Sequence, residues 1–90
     1  MAVNRKIRNK CPPSAILFEN HAFDNSIIGT TFDGRAIYCY EKMVAELMGD
    51  EAWDYEDAIE WIEFNTIRAL PYAGAKKPII VYAMEDEYEH

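Results

Sequence analysis

Hydrophobic residues recur at helical spacing in two neighbouring stretches in the second half of the chain. Residues 41–48 read EKMVAELM, and charged residues occupy one side of the helix that this spacing predicts. The glycine that follows, Gly49, is expected to end this helix as the residue after its C-cap. The apolar side of the predicted helix consists of Met43, Val44, Leu47 and Met48.

The second stretch, residues 54–71, reads DYEDAIEWIEFNTIRALP and predicts a longer helix around which the chain is organised. Asp54 is expected to cap its first turn, and Pro71 to stop it. The short linker 50–53 makes the two helices neighbours, and Trp53 is expected to fold back onto Ala58. The helix carries two apolar stripes, which is more than burial of one face requires: Ala58, Ile59, Ile62, Ala69 and Leu70 form the first, and Trp61 and Phe64 with Arg68 form the second.

The first half of the chain has the composition of strands and turns. Residues 26–32 and 35–40 are rich in β-branched and aromatic residues and flank Asp33-Gly34, which predicts a hairpin with a two-residue turn. Such a turn would pair Phe32 with Arg35, Thr30 with Ile37, and Ile28 with Cys39. One face of the hairpin would then carry Ile28, Ile37 and Cys39, and the other Ile27, Tyr38 and Tyr40.

Two further apolar runs predict strands outside the hairpin. Residues 15–18, AILF, are bounded by turn-forming residues, and residues 79–82, IIVY, form a continuous apolar run typical of a buried strand. The predicted fold class is therefore α+β. It is an antiparallel sheet of three to four strands, with the hairpin at Asp33-Gly34 and two helices packed on one face, in the order βββααβ.

The length of 90 residues predicts one domain, with a basic flexible arm over 1–13, an α+β domain over 14–84 and an acidic tail over 85–90. No apolar run approaches the roughly 18 to 20 residues that cross a bilayer, so a cytoplasmic protein without membrane contact is expected. Cys11 and Cys39 lack the spacing of a zinc pair. They are interpreted as free thiols, although a single bridge between them stays open.

The charge is distributed unevenly along the chain. The net charge is −7, but residues 1–10 carry +4 and the remainder carries −11. Residues 41–63 contain nine carboxylates and one lysine. This field would repel phosphate backbones and attract basic partners, so direct nucleic-acid binding by the second helix is disfavoured, although the basic arm could contact phosphates independently.

The sequence contains no recognisable catalytic, metal-binding or phosphate-binding motif. His21, Asp24 and His90 do not form a metal-binding spacing, no glycine-rich phosphate loop is present, and a Cys39–His21 pair lacks an orienting third group. No catalytic residue, metal site or cofactor is therefore assigned. Asn65 falls on the apolar side of the predicted helix, where its amide is expected to tie the helix to a neighbouring strand or loop.

The second stripe and its neighbouring carboxylates are instead typical of a surface that binds another macromolecule. Aromatic residues and arginine dominate binding energy at protein interfaces, and carboxylates would steer a basic partner. The predicted partner-binding residues are Glu56, Asp57, Glu60, Trp61, Glu63, Phe64, Arg68 and Tyr72.

Two segments, FDNSIIGTTFDGRAIYCYEKMVAEL and DAIEWIEFNTIRALPYAGAKKPIIVY, resemble a family of small phage and prophage proteins of Gram-positive bacteria; the resemblance covers residues 15–83. It carries no catalytic motif. It implies a non-enzymatic binding module of mobile-element origin, acting in the host cytoplasm as an acidic inhibitor of a host nucleic-acid-handling or defence protein, in the manner of an anti-CRISPR. The alternative is a homo-oligomeric structural or accessory phage protein, with a homodimer as the expected assembly.

Overall fold

The computed structural model describes residues 5–50 and 52–84, and within them the chain has the predicted α+β class. In chain order the elements are helix α1 (Arg5–Lys10), a 3₁₀ helix (His21–Ser26), strands β1 (Ile27–Thr30) and β2 (Ala36–Cys39), helices α2 (Tyr40–Asp50) and α3 (Tyr55–Ile62), a π-helical segment (Glu63–Ile67), a second 3₁₀ helix (Leu70–Tyr72) and strand β3 (Ile79–Val81).

The sheet is mixed, and the prediction of an antiparallel sheet is wrong. Its strand order is β1-β2-β3, in which β1 and β2 are antiparallel and β2 and β3 are parallel. A parallel pair requires a crossover of a dozen or more residues, and residues 40–78 supply one that contains both main helices. Because β3 lies at the edge of the sheet, Ile79, Ile80 and Val81 are half-buried rather than fully buried as predicted.

Residues 15–18, which were predicted to form a further strand, have no regular secondary structure. After α1, the strand and helix order is therefore ββααβ instead of βββααβ. The segment is held by isolated hydrogen bonds, because the N–H of Ile16 donates to the carbonyl of Lys76 (3.1 Å) and the N–H of Phe18 donates to Oη of Tyr38 (3.1 Å). The ring of Phe18 also packs against Tyr38, with centroids 4.6 Å apart.

The hairpin is present, but its predicted register is wrong. The turn is one residue longer than predicted: Thr31 N–H donates to the carbonyl of Arg35 (2.8 Å), and Gly34 has a φ of 86°. A left-handed residue in this position belongs to the three-residue turn that ends in a glycine bulge. The pairs are Ile27 with Tyr38, Gly29 with Ile37, and Thr30 with Ala36, with an irregularity between Ile27 and Gly29.

Helix α2 buries Met43, Val44 and Leu47 as predicted, whereas Met48 is exposed. The helix continues through Gly49 to Asp50, so the prediction that Gly49 ends it is wrong. The residue with the left-handed backbone is Ala52, with a φ of 58°. The chain then turns towards α3, and the N–H of Trp53 donates to the carbonyl of Leu47 (3.3 Å).

The long helix begins as predicted and ends differently. The side chain of Asp54 accepts from the N–H of Asp57 at 2.9 Å, which is the capping bond expected from the sequence. After Ile62 the helix widens into the π-helical segment, where the N–H of Arg68 donates to the carbonyl of Glu63 (3.1 Å). Pro71 lies inside the second 3₁₀ helix and does not mark the end of the helical region.

Part of the predicted basic arm contacts the domain. Ile7 packs against the core, and the guanidinium of Arg8 forms an ion pair of 2.7 Å with the fully buried carboxylate of Asp24. Arg8 also donates to the carbonyl of Phe18 at 3.1 Å. The acidic tail over 85–90 lies outside the described residues. The buried apolar core consists of Phe23, Ile27, Ala36, Tyr38, Tyr40, Met43, Val44, Leu47, Ala58 and Ile62.

Candidate functional site: an aromatic groove beside α3

A groove of about 350 Å³ runs along the exposed side of α3 and the start of the π-helical segment. Four of the eight predicted partner-binding residues lie on its wall. The aromatic groove is lined by Trp53, Asp57, Glu60, Trp61, Phe64 and Asn65.

Two tryptophan rings form one corner of the aromatic groove. Their centroids are 6.0 Å apart and their planes meet at 64°. Trp61 is half-buried and its inner side contacts the core residue Phe23, with centroids 6.0 Å apart. Trp53 precedes the cap residue Asp54, packs against the core cluster to which Ala58 belongs, and also contacts Trp61, a contact that was not predicted. The corner therefore rests on the hydrophobic core on one side and opens to solvent on the other.

The π-helical segment positions Phe64 and Asn65 at the other end of the aromatic groove. A π turn contains one residue more than an α turn, so residues after Ile62 point to different sides of the helix than α-helical spacing predicts. Thr66 becomes the buried residue, and Asn65 and Ala69, which were predicted on the apolar side, are exposed. The prediction for Asn65 is wrong: its Nδ2 donates to the carbonyl of Trp61 in its own helix at 3.1 Å.

Phe64 is 56% exposed, so a large part of its apolar ring meets solvent. The guanidinium of Arg68 lies over this ring, 5.0 Å from its centroid. Arg68 thereby contacts Phe64, its neighbour on the second stripe predicted from the sequence. It lies at the border of the aromatic groove and does not line it.

The remaining predicted residues lie elsewhere. Glu56 is exposed on α3 and Tyr72 is 89% exposed in the second 3₁₀ helix, and neither lines the aromatic groove. Glu63 does not line the aromatic groove either, and its charge affects Tyr40. The pKa of the Tyr40 phenol is raised mainly by burial, and the negative charge of Glu63 raises it further. The eight residues thus do not form one continuous site.

Both carboxylates of the aromatic groove are accessible to a cation. Asp57 and Glu60 are exposed, and neither takes part in an ion pair within residues 5–50 and 52–84. Acidic side chains close to exposed aromatic faces form a surface that can attract a positive charge and then hold it over a ring.

A second exposed surface was not predicted. We call it the tyrosine patch, and it consists of the exposed Met48, Tyr55 and Tyr82 together with the buried Tyr40, around a depression of about 460 Å³. The rings of Tyr40 and Tyr82 are 4.9 Å apart. Tyr40 and Met48 belong to α2, Tyr55 to α3, and Tyr82 to the chain after β3, so no local spacing could have indicated that the three segments would meet.

Glu41 fastens one side of the tyrosine patch. Its Oε1 accepts from the N–H of Ala83 at 2.9 Å, and this hydrogen bond is the main cause that lowers the pKa of the Glu41 carboxyl. The start of α2 is thereby joined to the chain that follows β3.

The two thiols are poorly placed for nucleophilic chemistry. Cys39 is buried, and its Sγ donates to Oε1 of Glu41 at 3.5 Å. Burial raises the pKa of Cys11, which disfavours its thiolate. Both cysteines are free thiols.

Neither a metal cluster nor a membrane span is found in the described part of the chain. Residues 5–50 and 52–84 contain no group of three or more His, Cys, Asp or Glu side chains able to hold a metal ion. None of their helices combines the length and the apolar character needed to cross a bilayer.

Comparison with protein-family models, with curated proteins and with solved structures finds no match to this chain. The resemblance to phage and prophage proteins therefore stays a prediction from the sequence.

Proposed function

We propose that this protein is a non-enzymatic binding module whose aromatic groove engages a basic surface on another protein. The observation that carries the proposal is the position of exposed aromatic faces beside two carboxylates that have no ion-pair partner in the described chain. Buried rings contribute most of the affinity at protein interfaces, and complementary charge increases the rate of encounter.

The charge of the whole chain supports the same kind of partner. A net charge of −7 on 90 residues repels nucleic acid and favours association with a basic protein. In line with the resemblance to phage and prophage proteins, we propose a mobile-element origin and a role in the host cytoplasm. The partner would be a host nucleic-acid-handling or defence protein. The acidic module would block the basic substrate channel of this protein and so inhibit it, in the manner of an anti-CRISPR.

The test is binding of the purified protein to purified nucleic-acid-handling and defence enzymes of a Gram-positive host. The salt concentration is varied, and inhibition of each enzyme is measured alongside binding. We expect one enzyme to bind and to lose activity, with affinity that falls as ionic strength rises because exposed charges are screened. If none of them binds even at low salt, the proposed function is wrong.

A matched pair of variants separates the aromatic groove from general acidity. Phe64→Ala removes a ring that is 56% exposed, and Tyr72→Ala removes one that is 89% exposed outside the aromatic groove. We expect Phe64→Ala to weaken partner binding by about tenfold or more, which is the scale of an interface hot spot, and Tyr72→Ala to change it little. Equal effects of the two variants would contradict the assignment to the aromatic groove.

The tyrosine patch favours a second candidate function, a homo-oligomeric structural or accessory protein. Met48, Tyr55 and Tyr82 are exposed around one depression, and contiguous exposed apolar surface commonly marks an interface. Light scattering coupled to size-exclusion chromatography tests this. A dimer that is lost in Tyr55→Glu would favour the second candidate, and a monomer at all concentrations would exclude it.

A further inference from the structure

The aromatic groove has the features of a receptor for one positively charged side chain. Trp53 and Trp61 present two rings at an angle of 64°, so that a group placed in the corner contacts both indoles. The inner side of Trp61 rests on Phe23 in the core, which limits the movement of this wall. Indole faces attract cations more strongly than the other aromatic side chains do.

The carboxylates are placed to complete such a receptor. Glu60 and Trp61 follow Asp57 by three and four residues on α3, so each of them is a neighbour of Asp57 on the surface of the helix. Asp57 and Glu60 line the aromatic groove together with the rings. A cation in the corner would therefore meet negative charge as well as aromatic surface.

The geometry favours arginine over lysine as the source of that cation. A guanidinium is planar and less strongly hydrated than an ammonium, so it can lie flat on an indole while its N–H groups donate to a carboxylate. One guanidinium of the chain already lies over an aromatic ring at this place, since that of Arg68 is 5.0 Å from the centroid of the Phe64 ring at the border of the aromatic groove.

We propose that the aromatic groove receives an arginine side chain of a basic protein, which lies in the corner against Trp53 and Trp61 and pairs with Asp57 or Glu60. This inference rests on the proposed function, because it names the group through which the partner is recognised. The recognition itself can be measured without any partner.

The experiment follows the indole N–H signals of the 90-residue chain by NMR while N-acetylarginine methylamide is added. The chain contains two tryptophans, and both line the aromatic groove, so every indole signal reports on this site. The citrulline analogue has nearly the same shape without the charge, and the lysine analogue has the charge without the plane.

We expect both indole signals to shift with the arginine probe, and half-saturation at a concentration about tenfold lower than with the citrulline probe. The lysine probe should bind more weakly than arginine. Shifts of equal size with arginine and citrulline, no shift with arginine, or tighter binding of lysine would each overturn the proposal.

Two isosteric variants provide the matched control. Glu60→Gln removes a charge from the wall of the aromatic groove, and Glu56→Gln removes one from the same helix outside it. We expect the first to weaken binding of the arginine probe by about threefold and the second to leave it nearly unchanged, which is the range of an exposed ion pair. Equal weakening would show that the probe senses only overall charge, and would overturn the proposal.

The two proposals fail in distinguishable ways. If the arginine probe binds and no basic protein does, the receptor is correct and the proposed function is wrong. If a basic protein binds through Phe64 while the arginine probe does not bind, the proposed function stands and the arginine receptor is wrong.

Discussion

The phenol of Tyr38 is fully buried at the centre of the molecule, where β2 meets residues 15–18. Burial raises the pKa of Tyr38 from its ordinary 10 to about 12, and it outweighs the hydrogen bond from the N–H of Phe18, which acts in the opposite direction. The neutral phenol is therefore part of the folded structure.

Folding stability is expected to fall as the pH rises from about 10 to about 12. In this range the unfolded chain loses the Tyr38 proton and the folded chain retains it, so the folded state binds more protons and a rise in pH favours unfolding. Below pH 10 the contribution is fully present. A shift of two pKa units corresponds to about 2 to 3 kcal/mol. The measurement is urea unfolding at pH values from 8 to 12, followed by circular dichroism.

Tyr38→Phe should flatten this alkaline decline, although it costs about 1 to 3 kcal/mol at neutral pH because the buried N–H of Phe18 loses its acceptor. Tyr72→Phe makes the same chemical change at an exposed ring and should leave the decline as it is. An equally steep decline in Tyr38→Phe would refute the assignment to this residue.

At the scale of elements, the sequence predicted where helices begin and which of their sides are buried better than it predicted where helices end and in which direction strands run. The cap at Asp54 and the buried side of α2 depend on local spacing, which the sequence contains. The register of the hairpin depended on whether Gly34 closes a two-residue or a three-residue turn, and the dipeptide Asp-Gly is compatible with both. The parallel direction of β3 is a property of the path of residues 40–78 in space, although the continuous apolar run at Ile79 is typical of parallel strands.

The contact of α1 with the first 3₁₀ helix could not be predicted from the sequence. Four basic residues in the first ten suggested a solvated arm, because terminal charges usually remain in water. A buried carboxylate at Asp24 requires a cation, and Arg8 supplies it at 2.7 Å across 16 positions of sequence. Neither Arg8 nor Asp24, taken by itself in the sequence, indicates that the two will form an ion pair.

Arg8→Ala is expected to destabilise the fold by about 3 kcal/mol, because it leaves the carboxylate of Asp24 buried without its cation. The free energy of unfolding in urea at neutral pH measures this. Lys10→Ala on the same helix removes an exposed charge and should cost less than about 0.5 kcal/mol. Equal stability of Arg8→Ala and Lys10→Ala would contradict the structural role given to the ion pair.

At the scale of the whole molecule, the sequence identified the wall of the aromatic groove and missed its corner. Asp57, Glu60, Trp61 and Phe64 were predicted from their positions on one helix. Trp53 was assigned a packing role against Ala58, and its contact with Trp61 depends on how the chain leaves α2 at Ala52. Glu63, which was predicted with them, does not line the groove, and the helix widens after Ile62, a change that the spacing of apolar residues does not indicate.

The molecule carries two aromatic surfaces with different residues, and their independence can be tested. The aromatic groove lies along the side of α3 that carries Glu60 and Trp61. The tyrosine patch is formed by Tyr55 at the start of α3, by α2 and by the residues after β3. The two sets of lining residues have no member in common. Effects of substitutions at sites without shared partners usually add. We therefore expect Tyr55→Glu to alter the molecular mass in solution, if the protein self-associates, without changing the half-saturation concentration of the arginine probe. Glu60→Gln should weaken the probe without changing the mass. If Tyr55→Glu weakens the probe as much as Glu60→Gln does, the two surfaces act as one site and the division between partner binding and self-association is wrong.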